Sequence, residues 1–220
     1  MIEQIEIRSL LPCVFAGMEN TDRIRSSQIW EEPSFVFHRG CRLCVHAESG
    51  NGKSSLLHFI YGSRKDYKGS ILFDGTDISA LSIAQWCEVR TKGIALLPQD
   101  MALFPELTVG QNIDLKNNMT HHKTSEQIKD LLARLGIDDK HDVAAGKLSI
   151  GQMQRVALVR AVCQPFDFIF LDEPVSHLDA RNNKIVADII TEEANNQGAG
   201  IISTSVGNHL MLDNAKFVSL

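Results

Sequence analysis

The sequence predicts an α/β fold in which a mainly parallel sheet is joined by an antiparallel β piece and interrupted by an inserted helical subdomain. Three observations carry this prediction. Early segments alternate apolar and polar residues, as half-buried strands do. Later strands are short, wholly apolar runs, as expected where both faces of a sheet are covered. Between those runs, residues 103 to 163 carry mainly helical periodicity.

Taken in order, Ile5 and Ile7, then Phe35 and Phe37, then Ile71 and Phe73 alternate, and the last pair ends in the turn Asp74-Gly75. Leu43-Cys44-Val45 runs into HAESGNGKSSLL, residues 46–57, and Leu56, Leu57 and Phe59 then take helical spacing. That stretch therefore lies where a strand turns into a helix. Ile94 to Leu97, Phe168 to Leu171 and Ile201-Ile202 are apolar runs tied to helical segments, the pattern of parallel strands. Within the helical region, Thr124 and Gln127 form a capping box, Ile128, Leu131, Leu132 and Leu135 make one apolar face, and Gly136 ends the helix. The stretches 18–27 and 116–124 are expected to be flexible connections. The organisation expected is one domain over 1–220, with a core of 1–102 and 164–220 and a helical insertion over 103–163.

The 220 residues, 44% hydrophobic and 22% charged, fit an ordinary globular chain, and a net charge of -5 lacks the basic excess of a nucleic-acid binder. No apolar run approaches the ~18 residues of a membrane span, and Met1-Ile2-Glu3-Gln4 lacks the basic start of a secretion signal. A cytoplasmic location is expected. Five scattered cysteines suggest reduced thiols rather than a disulfide framework. Cys41-x-x-Cys44 has no second pair, so metal or redox chemistry there is the weaker reading.

Gly50, Gly52, Lys53 and Ser54 match the end of the phosphate-loop pattern G-x-x-x-x-G-K-[ST], which places a P-loop NTPase core at the strand-to-helix junction. The glycines free backbone N–H groups for phosphate oxygens, Lys53 would reach the β and γ phosphates, and the Ser54 hydroxyl would ligate Mg²⁺. Ala47 stands where the first glycine belongs, which is tolerable if its φ is negative. The bland alternative is a Gly-Ser turn that binds nothing. Against it stands Phe168-Ile169-Phe170-Leu171, which delivers Asp172 and Glu173 at its carboxyl end, the edge where open α/β sheets bind ligands. Asp172 would hold Mg²⁺ and Glu173 would polarise the water that attacks the γ-phosphate.

Further motifs resemble the ATP-binding subunits of ABC transporters. Leu148-Ser149-Ile150-Gly151-Gln152 is similar to the signature L-S-G-G-Q, continued by Gln154-Arg155; Leu97-Pro98-Gln99 resembles the Q-loop, and Ser176-His177-Leu178-Asp179 the D-loop. Asp77-Ile78-Ser79-x-Leu81 leading to Arg90 and Gly93-Ile94 is similar to the lipoprotein-release, macrolide-efflux and cell-division branch. The resemblance implies ATP and Mg²⁺ as ligands. It places Glu48, Ser49, Gly50, Asn51, Gly52, Lys53, Ser54 and Ser55 around the phosphates and Gln99 beside the metal and the attacking water. It also implies two subunits packed head to tail, each nucleotide lying between one chain's phosphate loop and the other's Ser149, Gly151 and Gln152, with Asp179 meeting the partner across the axis. A separate membrane-spanning permease subunit would supply the transport path, and this chain would sit peripherally on the inner face of the membrane.

Three positions depart from the family pattern. Ile150 replaces a signature glycine, and a positive φ there would cost about 1 to 3 kcal/mol. Ser205 stands at the usual position of the switch histidine, a loss worth about 10² to 10³ in turnover, with His209 four residues on. Phe15 is the candidate adenine-stacking aromatic, with a core role as its alternative. The leading expectation is a transport ATPase. Two alternatives are an ABC ATPase of soluble scaffold-assembly type and a hydrolysis-impaired module that dimerises on ATP.

Overall fold

In the computed structural model, which describes residues 1–220 apart from the side chain of Arg23, alternation at the start of the chain produces the first sheet. Ile5 and Ile7 of β1 (Gln4–Pro12) are buried and lie opposite Phe37 and Phe35 of β2 (Ser34–His38) on one side, and Phe73 and Ile71 of β4 (Tyr67–Phe73) on the other. Asp74 and Gly75, both with positive φ, turn β4 into β5 (Thr76–Asp77) and complete an antiparallel sheet of order β2-β1-β4-β5. A bulge between Arg8 and Leu11 brings the chain close to β4 at Gly69, where a Cβ would stand 2.3 Å from the Ser9 carbonyl oxygen. Only glycine fits there.

The apolar runs form the second sheet, parallel throughout, of order β6-β7-β8-β3-β9: β6 (Ile94–Leu97), β7 (Phe168–Leu171), β8 (Gly200–Ser205), β3 (Arg42–His46) and β9 (Lys216–Ser219). Every residue of β7 and β8 is buried, as two-sided coverage demands. One face packs with the antiparallel sheet and α2 (Lys53–Ile60), through Leu57, Phe59, Phe168 and Phe170. Behind the short α1 (Asp22–Arg25), Trp30 joins that same cluster. The other face packs with the helical layer, through Leu97, Ile169 and Ile201.

That layer contains α4 (Val109–Asn117), α5 (Ser125–Arg134), α6 (Ile150–Val162) and, past β7, α7 (Ala180–Gln197). The capping box expected at Thr124 and Gln127 is present, and the same device recurs at Thr108 with Gln111, at Ser149 with Gln152, and at Ser82 with Gln85 ahead of α3 (Ile83–Glu88). The connection 116–124 is tied down, contrary to expectation. Asn117 is buried and bonds the backbone of Lys123 in both directions at 2.9 Å, and Lys123 pairs with Glu193 of α7. In 18–27, the expected second loose stretch, buried Ser27 caps Ile29 and Trp30.

Candidate active site

The carboxyl ends of β3, β7 and β8 converge on one edge, and the loop after β3 owes its shape to two glycines. Gly50 and Gly52 hold φ of 85° and 92°, left-handed values that free the backbone to curl. Gly52 is also closely packed, since a Cβ there would press on the Trp30 ring at 3.3 Å and touch Phe15 at 3.4 Å. Ala47 is not among the residues with positive φ, so the missing glycine costs no backbone strain. Lys53 opens α2 and folds back over the loop, its Nζ donating to the Ala47 carbonyl at 2.9 Å and the Glu48 carbonyl at 3.0 Å. Burial lowers its pKa from the ordinary lysine value, while the charges of Glu173 and Asp172 oppose that shift.

From β7 the chain presents the two acids. Glu173 Oε1 lies 3.8 Å from Lys53 Nζ, and its backbone sits at φ 50°, a left-handed conformation that costs a non-glycine residue about 1 to 3 kcal/mol. Surroundings pay for it at both ends: the Glu173 N–H donates to Thr204 Oγ1 at 3.0 Å, and its carbonyl accepts from Gln154 Nε2 at 3.0 Å. The same Thr204 hydroxyl donates to Asp172 Oδ1 at 2.6 Å, so one side chain at the end of β8 aligns both acids.

Asp172 Oδ2 is buried and has no hydrogen-bond partner among the described residues. Asp172 lines a cleft of about 420 Å³ with Ser54, His58, Pro98, Gln99 and Asp100. A buried, unpaired carboxylate oxygen beside a hydroxyl and a side-chain amide is an oxygen donor set that fits a hard divalent cation such as Mg²⁺. Glu48, Ser49 and Asn51 line a second hollow, of about 540 Å³, with Asp22 and Ser26. Ser55 Oγ accepts from Arg64 at 2.9 Å, and the Asn51 carbonyl accepts from Trp30 Nε1 at 3.2 Å.

Other candidate residues stand apart from this cluster. Ser149 caps α6, with its hydroxyl accepting from the Gln152 N–H and the Gln152 side chain accepting from the Ser149 N–H. Ile150 is the first helical residue, half exposed and free of positive φ, so the strain considered for a branched residue there does not arise. A Cβ at Gly151 would stand 3.3 Å from the His177 carbonyl oxygen, a tight approach of the helix start to the turn. Asp179 caps α7 through Asn182, whose N–H bond draws its carboxyl below the usual value. Among the described residues, no hydrogen bond or ion pair joins Ser149, Gly151 or Gln152 to the phosphate loop.

Two expectations are corrected. Ser205 is 1% exposed and its Oγ lies against Cys44 Sγ at 3.5 Å, so its hydroxyl is turned away from the acids, and the hydroxyl that serves them belongs to Thr204. His209 does not substitute, because its ring packs edge-on against Phe217. Phe15 is 4% exposed within the core cluster beside Trp30 and Gly52, so its ring offers no open stacking face. Cys41 lies just before β3 and Cys44 within it, and burial pushes the Cys41 thiol up to about 11.

Comparison with known proteins identifies the family. The ABC transporter family profile matches residues 30–176. The lipoprotein-releasing system ATP-binding protein LolD of Buchnera aphidicola subsp. Schizaphis graminum is 31% identical over 175 residues, covering 78% of this chain and 76% of the relative. The ABC transporter ATP-binding protein YtrE of Bacillus subtilis is 30% identical over 167 residues, covering 74% of this chain and 72% of the relative. A dimeric bacterial ABC transporter cassette of known structure shares the fold, with a TM-score of 0.73 at 19% identity over 98% of this chain and 94% of that one. Profile and relatives thus meet the reading to which loop, acids and signature helix had led: this chain belongs to the ABC transporter family, as one of its ATP-binding cassettes, and is an ATPase.

Proposed function

We propose that this chain is the ATP-hydrolysing subunit of a membrane transporter, closing into a head-to-tail dimer on MgATP and driving a separate permease subunit at the inner face of the membrane. The observation that carries this reading is the convergence of Lys53, Asp172 and Glu173 at one sheet edge, with Thr204 bonded to both acids. Lys53 Nζ donates to the Ala47 and Glu48 carbonyls, and phosphate oxygens would accept from it in their place. The left-handed turns at Gly50 and Gly52 let the loop curl so that its N–H groups could point at phosphate, and the N-terminus of α2 adds its positive end. Asp172, Ser54 and Gln99 would hold Mg²⁺, which neutralises phosphate charge when bound. Glu173, held in a fixed backbone conformation, would accept a proton from the attacking water.

The role of a permease partner has its own support. Tyr61, Leu96, Phe104, Leu115 and Met119 line a largely apolar groove of about 460 Å³ beside Pro98. Phe104, Leu115 and Met119 are all exposed and line this one groove, so they form a contiguous apolar patch rather than scattered single residues. No helix among the described residues is long and apolar enough to cross a membrane. The printed roles of LolD and YtrE, as ATP-binding proteins of a lipoprotein-releasing system and of an ABC transporter, favour the transport reading. Capture of a membrane-spanning protein from detergent-solubilised membranes by the tagged chain, lost in Phe104→Glu, is the expected result. Recovery of soluble partners alone would overturn it in favour of a scaffold-assembly ATPase.

A second reading, dimerisation with slow turnover, is favoured by the burial of Ser205 away from the acids. It predicts an ATP-loaded dimer that survives removal of free nucleotide on gel filtration, whereas the motor reading predicts prompt dissociation.

A further inference from the structure

Gln154 is a buried polar residue in the middle of the signature helix, 4% exposed, and its amide makes no bond within that helix. Nε2 donates to the Glu173 carbonyl at 3.0 Å and to Ser176 Oγ at 3.3 Å, while Oε1 accepts from the His177 N–H at 3.3 Å. Among the described residues these are the hydrogen bonds that connect α6 to the turn 172–179. A buried amide with both ends satisfied by one short turn fixes that turn relative to the helix.

The turn contains Glu173 in its left-handed conformation, whose N–H is held from the opposite side by Thr204 at the end of β8. One peptide group is thus anchored to the sheet and the next to α6. A movement of α6 relative to β8 therefore bears on the Glu173 backbone through these two anchors. The N-terminal end of that helix is Ser149-Ile150-Gly151, three to five residues before Gln154.

We infer that Gln154 is a positioning residue for Glu173 and the link through which events at the start of α6 reach the chain's own acid. This rests on the head-to-tail reading above: α6 begins at one nucleotide of the dimer and Glu173 acts on the other, so a nucleotide held by the partner aligns Glu173 through Gln154. The bond set explains why a glutamine stands here at full burial. An apolar side chain of similar length would fill the space and leave Glu173 O, Ser176 Oγ and the His177 N–H without this partner.

The test uses the full chain with Gln154→Met, which keeps length and removes every hydrogen bond, and Gln154→Glu, which keeps the acceptor and removes both amide donors. Val159→Ala, a buried cavity in the same helix away from the turn, is the control for loss of stability. Both Gln154 variants are expected to lower kcat about tenfold to a hundredfold, the scale of a small misplacement of a reacting group, with ATP affinity measured by equilibrium binding within about twofold. Val159→Ala is expected to lower Tm with kcat nearly unchanged. Turnover in either folded Gln154 variant equal to the parent would overturn the inference, as would kcat and affinity falling together in proportion to Tm, as in the control. If the unaltered chain releases phosphate no faster than Glu173→Gln, the function proposed above fails, and this inference fails with it. Active parent with active Gln154→Met sinks the inference alone.

Discussion

Replacing Thr204 by valine removes one hydroxyl and leaves side-chain volume almost unchanged. That hydroxyl, 0% exposed, donates to Asp172 Oδ1 at 2.6 Å and accepts from the Glu173 N–H at 3.0 Å. A hydrogen bond to a charged group contributes about 1.5 to 3 kcal/mol, and leaving a buried donor unpaired costs about 1 to 3 kcal/mol. The Asp172 carboxylate would then have no hydrogen-bond partner at either oxygen, because Oδ2 has none to begin with among the described residues. The added methyl of valine returns a fraction of this, so a net loss of about 3 kcal/mol is expected. For a chain of this size that is a fall in Tm of roughly 6 to 12 °C. Thermal unfolding followed by circular dichroism measures it, with Thr204→Ser as the companion that keeps the hydroxyl. Serine is expected to lose about 1 kcal/mol for its missing methyl group. The reasoning is refuted if valine and serine variants melt together, or if valine melts with the parent.

Lys53→Ala is expected to abolish nucleotide-dependent dimerisation, and an unchanged dimer peak on gel filtration with ATP would contradict that. Ser205→His, the substitution that restores the family pattern, is expected not to raise phosphate release. The larger ring has to enter a fully buried position beside Cys44, at an overpacking cost of about 1 to 3 kcal/mol. A variant that hydrolyses ATP faster at an unchanged Tm would show that the position opens to the site. His122 sets a pH dependence: burial first, then the Lys123 charge, holds its imidazole below the ordinary 6.5, so it stays neutral in the fold while the unfolded chain takes up a proton. Stability contributed by that neutral ring is present above about 6.5 and lost as pH falls toward the folded value. His122→Gln is expected to flatten the slope of denaturant midpoint between about pH 7 and 5, and an equal slope in both proteins would refute it.

What the sequence disclosed followed from how local each signal was. The alternation of Ile5 and Ile7 with β2 and β4, the buried runs of β6 and β7, and the Thr124 capping box depend on near neighbours, and all are present. The loop glycines and Lys53 were legible because one short turn contains the whole device. Thr204 was not, because its value lies in two acids 31 and 32 residues away, and Gln154 likewise acts on a carbonyl 19 residues away. Alternation along β8 contained part of the answer. Thr204 and Ser205, as neighbours in a strand, must face opposite sides, so only one of them reaches the acids. The position of Ser205 in the order of the motifs does not reveal the direction of its side chain. Phe15 failed for a related reason: an aromatic near the loop is a stacking platform only if left uncovered, and Trp30 and Gly52 close over this one.

Phosphate release at saturating MgATP, by the unaltered chain beside Glu173→Gln, tests the central claim most directly, with ATP binding measured on both. Assigning the proton-accepting role to Glu173 predicts that the variant binds ATP as the parent does and releases phosphate slower by a factor of about 10² to 10⁴, the scale of a lost general base. Equal rates in the two proteins would place the chemistry elsewhere and contradict the account.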